Sequence, residues 1–390
     1  MSSHHYEVII VGGAIIGSAV AYFLTRDPAF RGRVLVIEKD PSYAKSSTTL
    51  SAASIRQQFS TPTNIRISQF GIEFLRSLAE RFGPGADIGL RENGYLLLAS
   101  PSGLPILEGN HRIQREHGVD VALLDGPALQ ARFPWLNVQD LAAGCLGLSG
   151  EGWFDAYSLL QLLRRAAREQ GAEYVDGEVV AIERNGEHIR GVRLGDGRTY
   201  TCGELVNAAG AAAGRVAALA GIALPVEPRK RCVFVFACKE RPRFDDCPLV
   251  VDPSGLYFRP EGEYFITGLP PRPDPECWDF EVDHGLFDEH IWPILANRVP
   301  AFEAIKLINA WAGHYDYNTL DQNAVVGRHP AVGNLIFANG FSGHGLQQAP
   351  AVGRGVAELI VHGGYRSLDL SVFGYERIVA NRPVRELNVI

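Results

Sequence analysis

The N-terminal part of the chain, up to Glu38, reads as a strand, a glycine-rich turn, a helix and a second strand. The β-branched run EVIIV leads into Val11-Gly12-Gly13-Ala14-Ile15-Ile16-Gly17. Small and apolar residues at helical spacing continue to Arg26, and RVLVIE follows as a buried strand. A strand, a helix and a strand within about 35 residues form a βαβ unit, whose crossover is right-handed and whose strands are parallel. The sequence therefore predicts an α/β fold built on a parallel sheet.

The turn of this unit has the features of a dinucleotide-binding site. Gly12 permits the tight turn, Gly17 lets helix and strand approach, and the helix N-terminus offers N–H groups to a pyrophosphate. Ala14 replaces the usual middle glycine, and Glu38, 21 residues after Gly17, stands where a ribose-binding acid belongs. A glycine trio alone also fits an ordinary tight turn, but its place between strand and helix favours the dinucleotide. The motif does not separate NAD from FAD.

Composition and charge argue against several other classes of protein. The 390 residues carry 37 Lys and Arg against 44 Asp and Glu, a net charge of −7, which opposes a nucleic-acid partner. The six cysteines are never two or three positions apart, so neither a zinc knuckle nor a CxxC redox pair is predicted, and we expect no metal site.

The apolar run 8–24 is the one stretch that resembles a membrane span or a signal peptide. It is shorter than the ~20 residues that a span needs, its leader has no Lys or Arg, and glycines interrupt it. We therefore expect no integral membrane segment. The expected compartment is the cytoplasm, or the mitochondrial matrix for a eukaryotic chain that has lost a transit peptide.

Two later segments repeat the strand and glycine turn of the N-terminus. One is Val206-Asn207-Ala208-Ala209-Gly210, and the other is the strand NLIFANG, followed by a glycine-rich turn and a helix from about Gly345 to Val361. Between them, short strands punctuated by Pro and Gly indicate an antiparallel sheet. A nucleotide domain assembled from separate pieces favours FAD over NAD. We predict an FAD-binding domain of residues 1–83, 150–222 and 324–390, and a substrate domain of residues 84–149 and 223–323.

Four stretches carry a resemblance to a known family, namely VGGAIIG, SSTTLSAASIRQQF, VNAAG and GFSGHGLQQAPAVGRGVAELI. Together they resemble the D-amino-acid oxidase and sarcosine oxidase (DAO) superfamily of FAD proteins, and the resemblance covers essentially the whole chain. It implies a fold of the DAO and glutathione-reductase-2 type. Such a fold has a Rossmann-like FAD-binding domain and a substrate domain that is mainly antiparallel β-sheet.

The resemblance also implies which residues hold FAD, in a noncovalent complex. The pyrophosphate would lie on the first glycine loop, the ribose at Glu38, the flavin along residues 46–52 and the adenine beside Val180. The loop before the last helix would face the flavin pyrimidine edge, although it also fits a plain glycine-rich helix start. The implied cofactor-binding residues are Gly12, Gly13, Ala14, Ile15, Gly17, Glu38, Lys39, Ser46, Ser47, Thr48, Ser51, Ala52, Val180, Ala208, Ala209, Gly210, Gly340, Gly343, His344, Gly345 and Leu346.

Six residues are candidates for substrate binding or catalysis. Arg56 aligns with an active-site arginine of the sarcosine oxidases that reaches the flavin and the substrate carboxylate. Tyr257 and Arg259 alternate on the predicted strand GLYFRP, so both point to one face, where they would hold a carboxylate. The alternative for this pair is an edge strand facing solvent. The full set is Arg56, Tyr257, Arg259, His314, His344 and Gln347.

Four replacements depart from the superfamily pattern. Gln347 and Ile266 stand where sarcosine oxidases have lysines, one that engages the substrate carboxylate and one that promotes reaction with oxygen. Pro270 replaces an active-site histidine. His314 replaces the cysteine that links the flavin covalently, so any covalent histidyl link would form there. These replacements argue against a committed oxygen-using oxidase.

The resemblance implies an FAD-dependent oxidoreductase acting on the C–N bond of an amino acid or N-methyl amino acid, of the sarcosine or dimethylglycine kind. A hydride would pass to the flavin, and water would hydrolyse the resulting imine. The electrons would leave to an electron-transfer protein or a respiratory-chain component. Two alternatives stay open: an FAD-containing assembly or stability factor for respiratory complex I, and an oxygen-dependent amino acid or sarcosine oxidase.

Overall fold

The computed structural model describes residues 4–239 and 246–387, which form two large sheets, one small sheet and flanking helices. The strands are β1 (His5–Val11), β2 (Val34–Glu38), β3 (Ser54–Ile55), β4 (Tyr95–Ala99), β5 (Val121–Asp125), β6 (Ala143–Gly147), β7 (Gly152–Trp153), β8 (Glu173–Asp176), β9 (Val179–Asn185), β10 (His188–Leu194), β11 (Thr199–Asn207), β12 (Val226–Cys238), β13 (Leu249–Val251), β14 (Tyr257–Glu261), β15 (Tyr264–Gly268), β16 (Ile305–Asn318), β17 (Val325–His329) and β18 (Val332–Asn339). The α-helices are α1 (Ile15–Arg26), α2 (Pro62–Arg76), α3 (Leu78–Phe82), α4 (Leu104–Glu116), α5 (Gly126–Arg132), α6 (Ala156–Glu169), α7 (Ala213–Leu219), α8 (His284–Leu286), α9 (Trp292–Arg298), α10 (Gly345–His362) and α11 (Glu376–Val379).

The first sheet is built around β1, whose residues are apolar toward both faces. Val8 and Ile10 pack into one core, together with residues of α1, α6 and α10, whereas Ile9 and Val11 pack into a second core on the other face. The strands run in the order β17-β18-β11-β1-β2-β8, and β10 and β9 extend from β11. β1 pairs in parallel with β2 and β11, which confirms the βαβ unit predicted from the sequence.

The second sheet is mainly antiparallel and runs in the order β16-β12-β15-β14-β13-β4-β6-β5. Its longest strands, β12 and β16, pair with each other, so that Val226 lies opposite Asn318 and Cys238 opposite Ile305. One face packs on a core that includes residues of α9. An α/β protein with a Rossmann-like sheet and a mainly antiparallel second sheet is therefore confirmed. The exact domain limits given above stay a prediction.

Local signals in the sequence fix several helix boundaries. Asp155 caps α6, because its carboxylate accepts a hydrogen bond from the Ser158 N–H at 3.0 Å, and Pro62 occupies the first turn of α2. α10 ends at His362, and Gly363 directly after it adopts φ +71°. Among the described helices, none has both the length and the apolar character that crossing a membrane requires. The compartment stays a prediction.

Candidate cofactor and substrate site

The glycine loop after β1 lies against the loop after β11, so two of the three predicted glycine turns meet. Gly12 has φ +99°, and a Cβ there would lie 2.3 Å from the Ala208 carbonyl oxygen. A Cβ on Gly17 would lie 1.8 Å from the Gly12 carbonyl oxygen. Only glycine fits either position, because a methyl group cannot approach an oxygen this closely. Ala209 and Gly210 continue this second loop.

The start of α1 faces the space that these loops enclose. Among the described residues, no side chain caps this helix at Ala14, so its first N–H groups remain open toward a phosphate. The Ile15 N–H is the exception, since it donates to Thr48 Oγ1 at 3.3 Å. This bond joins the predicted flavin segment 46–52 to the glycine loop.

Glu38 ends β2 beside the loop, as the sequence predicted. Its two carboxylate oxygens accept hydrogen bonds from the Gly13 and Asp40 N–H groups, each at 2.8 Å. Burial raises the pKa of this carboxyl despite those two bonds. Each oxygen keeps a second lone pair, which a ribose hydroxyl would use. Lys39 follows directly in the chain.

Residues 46–52 contact both the start of α1 and the second sheet. Ser46 and Ser51 stabilise the turn locally, because their hydroxyl oxygens accept hydrogen bonds from the Thr49 and Ala53 N–H groups at 3.2 and 2.9 Å. The Ala52 carbonyl accepts from Arg259 of the second sheet at 2.8 Å. Ser47 follows Ser46 and is half-buried. The segment thus runs along the boundary between the sheets, where the flavin is expected.

Arg56, His344 and Gln347 come together from distant parts of the chain. The Arg56 backbone N–H donates to Gln347 Oε1 at 2.8 Å, and Arg56 Nη2 lies 3.0 Å from His344 Nε2. Because a guanidinium only donates, His344 Nε2 accepts, and the imidazole is neutral. Burial, with Arg56 close by, lowers the His344 pKa to about 3. Arg56 also donates to the Gln58 carbonyl and lies 4.1 Å over the Phe59 ring.

The loop before α10 is held by Asp316, a residue that the sequence analysis did not single out. Asp316 Oδ2 accepts from the Gly340 and Phe341 N–H groups at 2.8 and 3.1 Å. The His344 backbone N–H donates to the Phe341 carbonyl at 3.0 Å. The sequence predicted this N–H as a donor to the flavin, but in this structure it is engaged within the loop. That role remains for Gly343, which has φ +99°, and for Gly345 and Leu346 at the uncapped start of α10.

Tyr257 and Arg259 lie on one face of β14, as their alternation predicted, and Phe258 packs into the core on the other face. The Arg259 guanidinium is already engaged. Nη2 donates to the Ala52 carbonyl at 2.8 Å, and Nη1 donates to the Pro260 carbonyl at 2.9 Å and to Glu261. The predicted carboxylate fork on Arg259 is therefore not open in this structure, because both terminal nitrogens have protein acceptors.

A small cavity lies beside these residues. It is lined by Arg231, Cys232, Tyr257, Leu269, Pro270 and Tyr315. Tyr315 connects this cavity to the loop before α10, residues 340–344, which we call the flavin loop. A Cβ on Gly343 of this loop would lie 2.5 Å from the Tyr315 ring. Arg231 and Tyr315 were missed from the sequence. The available signal was their alternation with buried residues in the strands PRKRCV and GHYDYN, which places them on the face opposite Cys232 and Ala312.

His314 and Val180 stand apart from this cavity. His314 Nε2 lies 2.7 Å from the Asp279 carbonyl, so this nitrogen carries the proton, and the Phe280 ring lies 4.2 Å from the imidazole. Val180 lies on β9 with its side chain 40% exposed, three residues after Gly177, whose N–H bonds to the Glu38 carbonyl. Its predicted place beside the adenine stays a prediction.

Glu151 is another residue that sequence reasoning missed. Its fully buried carboxylate accepts from the Gln57 and Gln58 N–H groups at 2.6 and 3.0 Å and from Gln58 Nε2 at 2.9 Å. Burial raises the pKa of this carboxyl. Glu151 thus fixes the backbone directly after Arg56, which makes it a positioning residue. No group of three or more His, Cys, Asp or Glu within the described residues is arranged to hold a metal ion.

These features fit a bound FAD. The glycine cradle of Gly12 and Gly17, the uncapped helix start, the acid at the end of β2 and the glycine loop before α10 supply the groups that its phosphates, ribose and flavin need.

Comparison with known proteins agrees with this assignment. The chain matches the family model "FAD dependent oxidoreductase" over residues 7–359. It is 44% identical over 423 residues to FAD-dependent oxidoreductase domain-containing protein 1 of Xenopus laevis, covering 98% of this chain and 85% of that protein. It is 30% identical to glycine oxidase of Geobacillus kaustophilus, covering 92% and 93% of the two chains. Its structure is similar to L-proline dehydrogenase from P. horikoshii, with a TM-score of 0.87, 26% identity and coverage of 98% and 100%.

The match extends over most of the chain, and it confirms the resemblance that the sequence motifs indicated. The protein therefore belongs to the FAD dependent oxidoreductase (DAO) family, with FAD as its cofactor.

Proposed function

We propose that this protein oxidises the C–N bond of a small amino acid or N-methyl amino acid and passes the electrons to an acceptor other than oxygen. The observation that carries the proposal is the grouping of the Tyr257 and Tyr315 hydroxyls with the Arg231 guanidinium around a cavity of about 10 Å³ beside the flavin loop, which has room for one water molecule and must widen to admit a substrate. Glycine oxidase and L-proline dehydrogenase, to which the chain is similar, are both named for an amino acid. Their likeness supports an amino acid substrate here.

Burial in the cavity favours the reactive form of the amine. The lining residues include one cation, Arg231, whose charge is balanced by Asp274, and no carboxylate that would hold an ammonium ion. Loss of hydration disfavours the charged ammonium ion and so lowers the pKa of the substrate amine. The neutral amine has the free lone pair that the reaction needs.

The reaction is a two-electron oxidation. When bound, FAD accepts the hydride from the carbon next to nitrogen. The nitrogen lone pair forms the C=N bond, and water then hydrolyses the imine to a carbonyl compound and an amine. The chain's own part is to orient the substrate, through the cavity donors, and to keep the Arg56 segment and the flavin loop in place through Gln347 and His344.

The proposed electron acceptor follows from Ile266. This residue lies on β15 opposite Arg259 and is 2% exposed, so it offers no charge. A fixed cation near the flavin would stabilise the negative charge that oxygen gains with its first electron. Arg259 is the neighbouring cation, but its terminal nitrogens are bound to protein oxygens. We therefore expect slow reoxidation by oxygen and faster reoxidation by an artificial dye. Stopped-flow mixing of photoreduced protein with oxygenated buffer, for the native chain and Ile266→Lys, measures both.

Anaerobic addition of amino acids and N-methyl amino acids to the FAD-loaded protein tests the reaction itself. Loss of the visible flavin absorbance with one class of compound identifies the substrate. Tyr257→Phe removes one cavity hydroxyl, and a lost hydrogen bond to a charged group lowers affinity roughly tenfold or more. The matched control is Tyr264→Phe, which changes an exposed tyrosine on β15.

Each outcome separates the candidate functions. If no compound reduces the flavin, amine oxidation is wrong, and a structural flavin in a respiratory assembly factor becomes the better description. If the native protein reoxidises with oxygen as fast as a committed oxidase, the acceptor part of the proposal fails, and the oxygen-dependent oxidase takes its place.

A further inference from the structure

We infer that Arg231 is the anchor for the substrate carboxylate and that Asp274 occupies this anchor when no substrate is bound. The inference rests on the proposed function, because it assigns the carboxylate of an amino acid substrate to a particular residue of the cavity. It also predicts competition between the protein's own carboxylate and the ligand.

The pairing of Arg231 with Asp274 has the geometry of a bound carboxylate. Arg231 Nη1 and Nη2 donate to Asp274 Oδ1 and Oδ2, both at 2.8 Å. This bidentate arrangement is the one that a guanidinium also adopts with a free carboxylate. Asp274 therefore shows that the terminal nitrogens of Arg231, a residue that lines the cavity, can hold a carboxylate.

Asp274 is a partner that a ligand can displace. It lies between β15 and α8, outside the described strands and α-helices, and its side chain is 26% exposed against 14% for Arg231. A partly exposed side chain outside the strands and helices can turn into water by rotation, without moving the backbone of a sheet.

The other two arginines near the cavity have different partners. Arg56 is bound to the Gln58 carbonyl and to His344, and Arg259 to the Ala52 and Pro260 carbonyls. A main-chain carbonyl cannot leave without moving the strand or loop that carries it. Arg231 Nη1 also donates to a main-chain carbonyl, that of Lys230 at 2.9 Å, but both of its terminal nitrogens share the Asp274 carboxylate, so its bidentate partner is a side chain that can rotate away.

Two tyrosine hydroxyls complete the anchor. Tyr257 and Tyr315 line the cavity, and the Arg231 guanidinium lies 4.9 Å over the Tyr315 ring. Within the described part of the chain neither hydroxyl has a hydrogen-bond partner. Gly268, opposite Tyr257, leaves room for that ring, since a Cβ there would lie 2.7 Å from the hydroxyl. Both hydroxyls are thus free to donate to a carboxylate.

The test uses methoxyacetate, which has the shape and the carboxylate of sarcosine but an ether oxygen in place of the amine. Binding to the FAD-loaded protein is measured by isothermal titration calorimetry, with methoxyacetamide as the neutral control. Arg231→Gln removes the charge, and we expect methoxyacetate affinity to fall roughly ten- to hundredfold. Asp274→Asn removes the competitor, and we expect affinity to rise several-fold. In the double variant the gain from Asp274→Asn is lost.

The Asp274→Asn variant separates this role from a structural ion pair. If the pair serves stability only, Asp274→Asn lowers the melting temperature and leaves methoxyacetate affinity unchanged or weaker, and the inference is wrong. Should Arg231→Gln fail to fold, Arg231→Lys retains the charge without the two-pronged geometry, and the expected loss is then smaller. Unchanged affinity in Arg231→Lys and Asp274→Asn together also overturns the inference.

This binding test is independent of turnover. Methoxyacetate binding that depends on Arg231 in a protein that oxidises no amine supports the anchor and contradicts the proposed oxidation. Oxidation of an amino acid with an unchanged KM in Arg231→Gln supports the proposed function and contradicts the anchor.

Discussion

Asp316 shows how one buried carboxylate holds the loop that faces the flavin. Its side chain is 8% exposed, and burial raises its pKa to about 6 in spite of two backbone hydrogen bonds. Both donors, the Gly340 and Phe341 N–H groups, reach the same oxygen, Oδ2. An asparagine side chain would accept both bonds with its single oxygen and would carry no charge.

This geometry predicts a pH dependence of stability. The folded pKa lies above the unfolded value of 3.8, so Asp316 contributes stability below that value and loses it as the pH rises through about 6. The free energy of unfolding of the native protein, minus that of Asp316→Asn, should fall by about 2 kcal/mol from about pH 4 to about pH 7. Denaturant unfolding of both proteins across this range measures the difference. A difference that does not change with pH would show that Asp316 has an ordinary pKa.

His314 leads to a second prediction at this scale. Its Nε2–H is engaged by the Asp279 carbonyl at 2.7 Å, and the ring packs against Phe280. We expect FAD to be held without a covalent bond, so acid precipitation should leave the flavin in the supernatant. A yellow pellet from the native protein that becomes colourless in His314→Ala would contradict this and place a histidyl link at His314.

Among the elements, the β1-α1-β2 unit depends most strictly on backbone contact. Gly17 lies in the first turn of α1, and a Cβ there would lie 1.8 Å from the Gly12 carbonyl oxygen. The helix must therefore shift away from the strand in Gly17→Ala, and the N–H groups that face the phosphates shift with it. We expect loss of bound FAD and a lower melting temperature.

Gly85→Ala is the matched control, because a Cβ at Gly85 meets nothing within 4 Å. Flavin content after purification and thermal unfolding measure the two variants in parallel. Full FAD occupancy with a native melting temperature in Gly17→Ala would mean that helix and strand do not need this close approach.

For the whole molecule, Glu386 ties the C-terminal segment to the site region. Its buried carboxylate accepts hydrogen bonds from the Thr61 N–H at 3.1 Å, from Asn64 Nδ2 at 3.2 Å and from the Ser60 N–H, all at the start of α2. Asn64 continues the network, because its side chain accepts from Gln348 of α10 at 3.1 Å. The last described residues thus support the two helices that lie behind Arg56 and Gln347.

Removing this carboxylate should weaken the whole fold. Glu386→Ala leaves the Ser60 and Thr61 N–H groups without this acceptor, while Asn64 Nδ2 keeps its bond to Asn323 Oδ1. We expect a loss of about 1–3 kcal/mol in the free energy of unfolding, seen as a lower melting temperature. Glu303→Ala, at an exposed position outside this network, is the control. Equal melting temperatures for Glu386→Ala and Glu303→Ala would show that the C-terminal segment contributes nothing to stability.

Features that depend only on neighbouring residues can be predicted from the sequence. Short-range periodicity and turn chemistry set the β1-α1-β2 unit, the glycine turn, Glu38 at the end of its strand and the Asp155 cap. Which side chains meet depends instead on the tertiary structure. Arg56 is bound to His344 and Gln347, 288 and 291 positions away, and Arg259 is engaged whereas Arg231 faces the cavity with a replaceable partner. Such contacts depend on how the sheets and helices pack, which no local pattern records.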